Sequence, residues 1–243
     1  MGAAADPSLP APSPGRPGPA GAGGPLTWLA IDTATDRASV AIGPDFASAR
    51  EGFLDGARRH AAAVLPILER LLEEAGIGLS GIRGVLLADG PGSFTGLRVG
   101  ASLAKALADS RGLPVLTASS LMARAHAADR GEGLPVLVTS DALRGDVYAA
   151  VYRFSGGAVE TVVAPTVAPR ERLATLAPPG SLDGTGNPAS ARHLIALAAL
   201  AGGAVPIADV HAWEPIYGRP AEAQARWEAT HGRPLSRAPG VAR

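Results

Sequence analysis

The chain has 243 residues, which is enough for one or two lobes with a sizeable core. Hydrophobic residues make up 47% of it and aromatic residues only 4%, so the core must be built mainly of alanine, valine and leucine. A formal net charge of zero argues against a protein that binds RNA on its own, since neutralising phosphates needs a basic excess. The absence of cysteine excludes a thiol nucleophile, a thiolate zinc site and any disulfide.

The sequence shows neither the apolar core of a signal peptide nor a membrane-spanning segment. No apolar run approaches the roughly 20 residues that a membrane helix needs, so we expect a cytoplasmic protein with no membrane contact. Residues 1–25 are almost entirely Ala, Pro, Gly and Ser, and such a segment cannot bury enough surface to offset its ordering entropy. We therefore expect residues 1–25 to be a disordered tail and the folded chain to start at Leu26.

The folded part begins with a predicted β-hairpin. Residues 27–31 and 38–42 are apolar runs typical of strands, and Asp32-Thr-Ala-Thr35 follows the first of them. A carboxylate and two hydroxyls on a tight turn can hold a metal-bound phosphate. The same residue types also satisfy turns that bind nothing, so the turn alone leaves both interpretations open.

An amphipathic helix is predicted next, over residues 58–75. Its apolar residues recur at helical spacing, with Leu68 and Leu72 among them, and a glycine closes it. Pro66 lies inside the helix and should kink it or delay its start. His60 has no partner nearby in the sequence, and we expect it to be structural.

The run Asp89-Gly-Pro-Gly-Ser-Phe-Thr-Gly-Leu-Arg-Val-Gly100 is the stretch around which the chain is organised. It follows a buried strand, and its Gly-Pro-Gly core forces a sharp turn. Ser93 or Thr95 can cap a helix that ends near Ser110, where Gly112 stops it. The glycine spacing fits neither a Walker loop nor a dinucleotide-binding fingerprint.

Small residues fall at every fourth position of that helix, so one stripe of its surface has almost no side chains. They are Gly96, Gly100, Ala104 and Ala108. The pattern alone leaves three interpretations open: packing against a neighbouring helix of the same domain, a phosphate at the helix N-terminus, and an interface with a partner.

Further elements complete two lobes. A strand at 113–117 and a helix from Ser119 or Ser120 to about Ala128 finish the order ββ(β)αβαβα, which predicts one α/β lobe over residues 26–128. A second set of strands predicts another α/β lobe over residues 129–218, followed by an arginine-rich tail over 219–243.

Two loops of the second lobe carry candidate site residues. Asp141 follows a strand end, where it could be a site carboxylate or could only pair with Arg144 on the surface. The turn Asp183-Gly-Thr-Gly-Asn187 could approach a nucleotide, although such turns are common and weakly specific.

Four motifs occur together and in chain order. They are Leu29-Ala-Ile-Asp-Thr-Ala-Thr35 with Ser39-Val-Ala41, the Gly90–Gly100 run, Asp141-x-x-x-Gly-Asp-Val-Tyr148, and Glu214-Pro-x-Tyr217. With these motifs the chain resembles the TsaB (YeaZ) family of the bacterial threonylcarbamoyladenosine tRNA-modification system, over about residues 26–227. The resemblance implies an α/β protein with the actin/hexokinase/Hsp70-like (ASKHA) fold of two α/β lobes.

For function, the resemblance implies a non-catalytic subunit that scaffolds TsaD, the related enzyme that modifies adenosine 37 in tRNAs reading ANN codons. A TsaE-like ATPase would complete the assembly, and tRNA would be contacted only through the complex. In the family, two helices of the first lobe pack against the equivalent helices of TsaD, or of a second TsaB in a homodimer. We therefore predict an interface formed by Leu68, Leu72, Gly96, Gly100, Ala104 and Ala108.

The resemblance also bears on chemistry. TsaD holds a metal with a His-x-x-x-His pair and an aspartate, whereas no two of the five histidines here stand four apart. We expect no catalytic residue, no metal and no cofactor bound by this chain alone; ATP or ADP could bind at the level of the complex. Asp32, Thr33, Thr35 and Asp141 would then form a vestigial nucleotide site. The alternative is an enzyme acting alone, as an ASKHA-type nucleotide hydrolase or phosphotransferase or as a glycoprotease-like peptidase.

Overall fold

Two β-sheets organise the computed structural model, which describes residues 27–56, 60–142, 145–218 and 230–232. The first sheet contains β1 (Thr27–Asp32), β2 (Arg37–Gly43), β3 (Arg50–Asp55), β4 (Ile82–Ala88), β5 (Val115–Ala118) and β10 (Val205–Pro206), and the second contains β6 (Pro135–Asp141), β7 (Asp146–Ser155), β8 (Ala158–Pro169) and β9 (Leu182–Asp183). The strand orders are β10-β5-β4-β1-β2-β3 and β8-β7-β6-β9. In the first sheet β1, β4 and β5 are parallel, whereas β2, β3 and β10 pair antiparallel with their neighbours.

Helices cover both faces of the first sheet. The helices are α1 (His60–Ala75), α2 (Phe94–Arg111), α3 (Ser120–Ala128), α4 (Leu173–Leu176) and α5 (Arg192–Leu197), with 3-10 turns at Leu79–Gly81 and Arg170–Arg172. On one face, Leu29 and Ile31 of β1 pack with α1 and α2. On the other, Ala30 packs in a cluster that includes α3, α5 and the second sheet. This alternation follows from the period of two along a strand, and it places α3 and α5 between the two sheets.

The start and end of α2 follow the local sequence, as predicted. Ser93 is the N-cap, and its hydroxyl accepts a hydrogen bond from the Gly96 amide at 3.2 Å. Gly112 ends the helix in the left-handed region, with φ of 62°. In α1 the helix runs through Pro66.

The C-terminal part of the described chain returns to the first lobe. β10 extends the first sheet beside β5, and the Ile207 amide donates to the Val115 carbonyl at 2.9 Å. Further on, the Ile216 amide donates to the Asp89 carbonyl at 2.8 Å. Residues 205–217 therefore belong structurally with the first lobe, although the predicted boundary assigned them to the second. The predicted tail 1–25, and the tail 219–243 apart from 230–232, lie outside the described residues.

None of the helices in the described ranges is long and apolar enough to cross a membrane.

The small-residue stripe of α2 packs against the strands of its own lobe. A side chain at Gly96 would strike the carbonyl oxygen of Thr33, and one at Gly100 would lie 2.7 Å from Thr33 Oγ1 and 3.0 Å from Leu87 Cδ1. Ala104 and Ala108 are 1% and 7% exposed. The chain itself therefore uses the space that these small residues leave.

This arrangement corrects the predicted interface at the level of residues. Leu68 and Leu72 also face inward, with exposures of 2% and 8%. A partner helix cannot reach any of the six predicted positions while the sheet and the two helices cover them. A bulky residue at Gly100 would thus disturb the monomer itself, and a partner that packs on α1 and α2 must contact their opposite faces.

The Gly96→Ala substitution tests this close packing. We expect it to lower the free energy of unfolding by about 2 kcal/mol or more, because the new methyl group meets backbone that cannot move aside. Urea unfolding followed by circular dichroism measures the change. Gly186→Ala is the matched control, since a methyl group there meets no atom within 4 Å. Equal stabilities for the two variants would contradict the packing.

Candidate functional site

The turn after β1 places a carboxylate in the interior. Asp32 is fully buried; its Oδ1 accepts a hydrogen bond from the Ala34 amide at 3.0 Å, and its Oδ2 has no hydrogen-bond partner in the part of the chain that the structure describes. Burial raises the pKa of this carboxyl to about 6, and the Ala34 amide and the Arg124 guanidinium oppose the rise. The negative form of Asp32 is therefore poorly solvated at neutral pH.

A buried arginine on α3 faces this region. Arg124 is 8% exposed, and it donates from Nε to the Asn187 carbonyl at 2.6 Å and from Nη2 to the Thr185 carbonyl at 3.1 Å. The glycine turn at 183–187, singled out in the sequence as a nucleotide contact, is thus fastened to α3 through its backbone carbonyls. Burial lowers the pKa of the guanidinium, and the charge of Asp32 opposes that. The sequence signal for this role was a single arginine in a helix whose other residues, apart from Ser120 and His126, are alanine, leucine or methionine.

The other predicted site residues are engaged locally. Thr33 is buried, and its hydroxyl donates to the Gly96 carbonyl at 2.8 Å. The Thr35 hydroxyl donates to the Arg37 carbonyl at 3.0 Å within the same turn. Asp141 lies at the end of β6 with an exposed side chain, 4.0 Å from Arg170 Nη2. The structure therefore brings Asp32 and Thr33 together at one turn but leaves Asp141 on the surface.

A second carboxylate, half-buried, follows β4. Asp89 Oδ1 has no hydrogen-bond partner among the described residues, and burial raises the pKa of the carboxyl to about 6 against the effect of a hydrogen bond from Thr117. A carboxylate beside the Gly-Pro-Gly turn repels anions, so this turn is not suited to a phosphate.

Glu51 of β3 fixes the start of α5. Its carboxylate accepts hydrogen bonds from the Ser39 hydroxyl at 2.5 Å, the Ser190 hydroxyl at 3.2 Å and the Arg192 amide at 3.2 Å. These contacts join the β2–β3 hairpin to a segment about 140 residues later in the chain. Nothing in the local sequence around Glu51 marks it for this role.

Within the described ranges, no three His, Cys, Asp or Glu side chains come together in an arrangement that could hold a metal ion.

The outer faces of α1 and α2 form an open apolar groove of about 620 Å³. Its apolar lining is Val64, Leu65, Phe94, Val99 and Leu103, with Arg98 at the rim. Leu65 is 50% exposed and, with Val99 and Leu103 beside it, contributes to a contiguous apolar surface. We call this surface the α1–α2 groove.

The C-terminal segment supports one edge of the α1–α2 groove. The ring of Tyr217 packs on Phe94, with 4.4 Å between centroids, and the Arg98 guanidinium lies 4.2 Å above the Phe94 ring. Arg98 Nε donates to the Tyr217 hydroxyl at 3.4 Å, and that hydroxyl donates to Glu214 Oε2 at 3.2 Å. The Glu214-Pro-x-Tyr217 motif therefore positions Phe94 and Arg98 at the groove.

The raised pKa of Asp32 predicts that Asp32→Asn increases the free energy of unfolding by an amount that depends on pH. Between about pH 4 and pH 6 the native carboxyl binds more protons than the unfolded one, so its contribution to stability falls as the pH rises. The asparagine keeps an acceptor for the Ala34 amide and does not ionise. We expect it to stabilise the protein by on the order of 2 kcal/mol at pH 8, and by much less at pH 4.5.

Urea unfolding at both pH values measures that gain. Asp45→Asn is the control, because hydrogen bonds from Ser48 lower the pKa of the exposed Asp45 carboxyl and the substitution should not stabilise at either pH. A gain for Asp32→Asn that is independent of pH would rule out an ionised, poorly solvated Asp32 as its cause.

Comparison with known proteins agrees with this architecture. A family model described as "TsaD: tRNA N6-adenosine threonylcarbamoyltransferase" matches residues 55–197. The tRNA threonylcarbamoyladenosine biosynthesis protein TsaB of Escherichia coli is 36% identical over 165 residues, which span 65% of this chain and 71% of that protein. TsaB of Haemophilus influenzae is 38% identical over 125 residues, which span 51% of this chain and 52% of that protein.

The similarity extends to a solved structure. YeaZ from Pseudomonas aeruginosa superposes with a TM-score of 0.67 at 28% sequence identity, covering 79% of this chain and 99% of that one. The predicted ASKHA-like fold of two α/β lobes is confirmed by this match together with the two sheets. The motifs, the fold and the identity to two TsaB proteins lead to one conclusion: the chain belongs to the TsaB (YeaZ) family, whose domain is related to that of TsaD.

Proposed function

We propose that this chain is a non-catalytic subunit of the system that makes threonylcarbamoyladenosine at position 37 of tRNAs reading ANN codons. It holds a TsaD-like catalytic subunit in its active arrangement. The observation that carries this proposal is the α1–α2 groove, an exposed apolar surface on the two helices of the first lobe. Exposed contiguous apolar surface rimmed by polar groups is typical of protein interfaces.

The chemistry of the groove suits a helical partner. Leu65, Val99 and Leu103 offer aliphatic surface, whereas Phe94 contacts both the ring of Tyr217 and the guanidinium of Arg98, which restrict its side chain. Aromatic and arginine side chains that are fixed before binding are favoured as interface anchors, because little side-chain entropy is lost on association. A TsaD-like subunit shares this domain and would present its own two equivalent helices. A second copy of this chain could occupy the same surface when the partner is absent.

The candidate nucleotide residues are better explained by structural roles. The Thr33 hydroxyl donates a hydrogen bond to the backbone of α2, and the Thr35 hydroxyl donates one within its own turn. Asp141 lies on the surface near Arg170. We therefore propose that the isolated chain neither turns over nor binds ATP or ADP, and that nucleotide binds only at the level of the complex. A TsaE-like ATPase joins that complex, tRNA is contacted through it, and the protein acts in the cytoplasm.

Reconstitution tests the proposal. The purified chain is mixed with the TsaD-like subunit of the same organism, and the complex is measured by light scattering. Modification is then assayed with tRNA, threonylcarbamoyl-adenylate and the TsaE-like ATPase. We expect a complex, and modification that requires this chain while the chain alone shows none. Failure to form a complex, together with ATP or peptide hydrolysis by the chain alone, would favour the independent enzyme instead.

A charge in the groove should block the partner without unfolding the monomer. We expect Leu65→Asp to weaken binding of the TsaD-like subunit by about 30-fold or more, because a carboxylate would be desolvated in an apolar interface. Since half of the Leu65 side chain is already exposed, the monomer should keep its melting temperature within a few degrees.

Leu79→Asp is the matched control for this prediction, since Leu79 is 40% exposed and lies in the 3-10 turn after α1, away from the groove. Isothermal titration calorimetry measures both affinities. Equal weakening by the two variants would place the interface elsewhere.

A further inference from the structure

Two histidines that lie 67 residues apart meet between the sheets. His126 is on α3 and His193 is on α5, and their Nδ1 atoms are 2.8 Å apart. The ring centroids are 5.1 Å apart. This equals the Nδ1–Nδ1 distance plus the distance from centroid to Nδ1 in each ring, which is possible only if the four points lie close to one line. The two rings therefore point their Nδ1 atoms head-on at each other. We call these two residues the histidine pair.

Head-on rings form a hydrogen bond and not a chelate. Two imidazoles that bind one metal must direct their lone pairs at a common point to the side of the line between the nitrogens. Here each nitrogen faces the other along that line. One imidazole must then carry Nδ1–H and donate, while the other has a bare Nδ1 and accepts. This fixes complementary tautomers for the two rings.

The histidine pair also holds the loop after β2. The ring of Phe46 packs on both histidines, with centroid distances of 5.9 Å to His126 and 5.0 Å to His193, and Phe154 of β7 packs on His126 at 5.3 Å. Arg192 of α5 lies over Phe46 and donates to the carbonyls of Phe46 at 2.7 Å and Ala47 at 3.1 Å. The pair thus sits where α3, α5 and loop 44–49 converge.

The surroundings determine how many protons the pair can hold. Burial lowers the pKa of His126, and the charge of Asp129 at the end of α3 opposes this. Burial, the neighbouring His126 and the positive charge of Arg192 together lower the pKa of His193 to about 4. Loop 44–49 and β7 contribute the uncharged rings of Phe46 and Phe154. One proton can be shared as an imidazolium–imidazole hydrogen bond, whereas two protons would set two N–H groups against each other.

We propose that the histidine pair is an acid-sensitive contact that holds α5 and loop 44–49 against α3 with at most one added proton, and that opens when a second is taken up. Opening separates the two histidine rings, removes the packing of Phe46 on them and loosens α5 from α3. The unfolded chain binds the second proton more readily, so the contribution of the pair to stability is lost as the pH falls from 6.5 toward 4. This inference does not depend on the proposed function.

Histidine side-chain nitrogen NMR of the full chain between pH 4 and pH 8 tests the proposal directly. We expect one of the two rings to carry Nδ1–H and the other Nε2–H at pH 7.5, and one ring to titrate only near pH 4. Two Nε2–H tautomers that titrate independently near 6.5 would overturn it.

A matched pair of variants provides the second test. His193→Asn places an amide group near the position of Nδ1 but cannot ionise, and His211→Asn makes the same change at an exposed histidine. The Tm of each protein is measured at pH 6.5 and at pH 4. We expect the Tm of His193→Asn to fall by about 5 °C less than that of the unsubstituted protein. The Tm of His211→Asn should fall by as much as that of the unsubstituted protein. Parallel losses in all three proteins would overturn the proposal, and the NMR titration decides if His193→Asn does not fold.

Discussion

The structure depends on the close approach of α2 to the turn after β1. Backbone touches backbone there: the Ser93 amide donates to the Ala34 carbonyl at 2.6 Å, the Thr33 hydroxyl donates to the Gly96 carbonyl, and Gly92 and Gly96 leave no room for a side chain. This contact buries Asp32 and fixes the rotation of α2 about its axis. That rotation turns the small residues inward and presents Phe94, Val99 and Leu103 outward. The glycine-rich run therefore allows α2 to pack closely on the turn after β1, and this packing determines which residues of α2 line the α1–α2 groove.

Local features of this fold could be predicted from the sequence, because they depend on neighbours in the chain. The strand, turn and helix around Gly90–Gly100 were predicted with a cap at Ser93 or Thr95 and a stop at Gly112, and the structure uses Ser93 as the cap. Both signals come from residues within one helical turn. The direction in which the small stripe faces could not be predicted. Helical spacing shows that four residues share a face, but it does not say whether a strand or a partner covers that face. The assignment of Gly96 and Gly100 to an interface failed for that reason.

Long-range polar contacts could not be predicted from the sequence either. Glu51 meets Ser190 and Arg192, Arg124 meets the 185–187 carbonyls, and His126 meets His193, each across more than 60 residues. Only tertiary structure brings such groups together. Asp32 was one of the candidate site residues because it lies with two threonines in a turn after a strand, yet its physical character comes from burial. A buried carboxylate with one oxygen unpartnered among the described residues is a cost to the fold, which the surrounding core must offset.

The return of residues 205–217 to the first sheet has a consequence for synthesis. Until β10 pairs with it, β5 lies at an open edge of the sheet. The Asp89 carbonyl, at the turn before α2, likewise has its hydrogen bond from the Ile216 amide only after that later segment has been made. The first lobe is thus interrupted by the whole second lobe and is completed by some of the last residues that the structure describes. On the ribosome, the earlier strands must emerge long before their final partners do. Folding of the amino-terminal lobe therefore finishes late, and the two lobes become a single cooperative unit rather than two domains that mature one after the other.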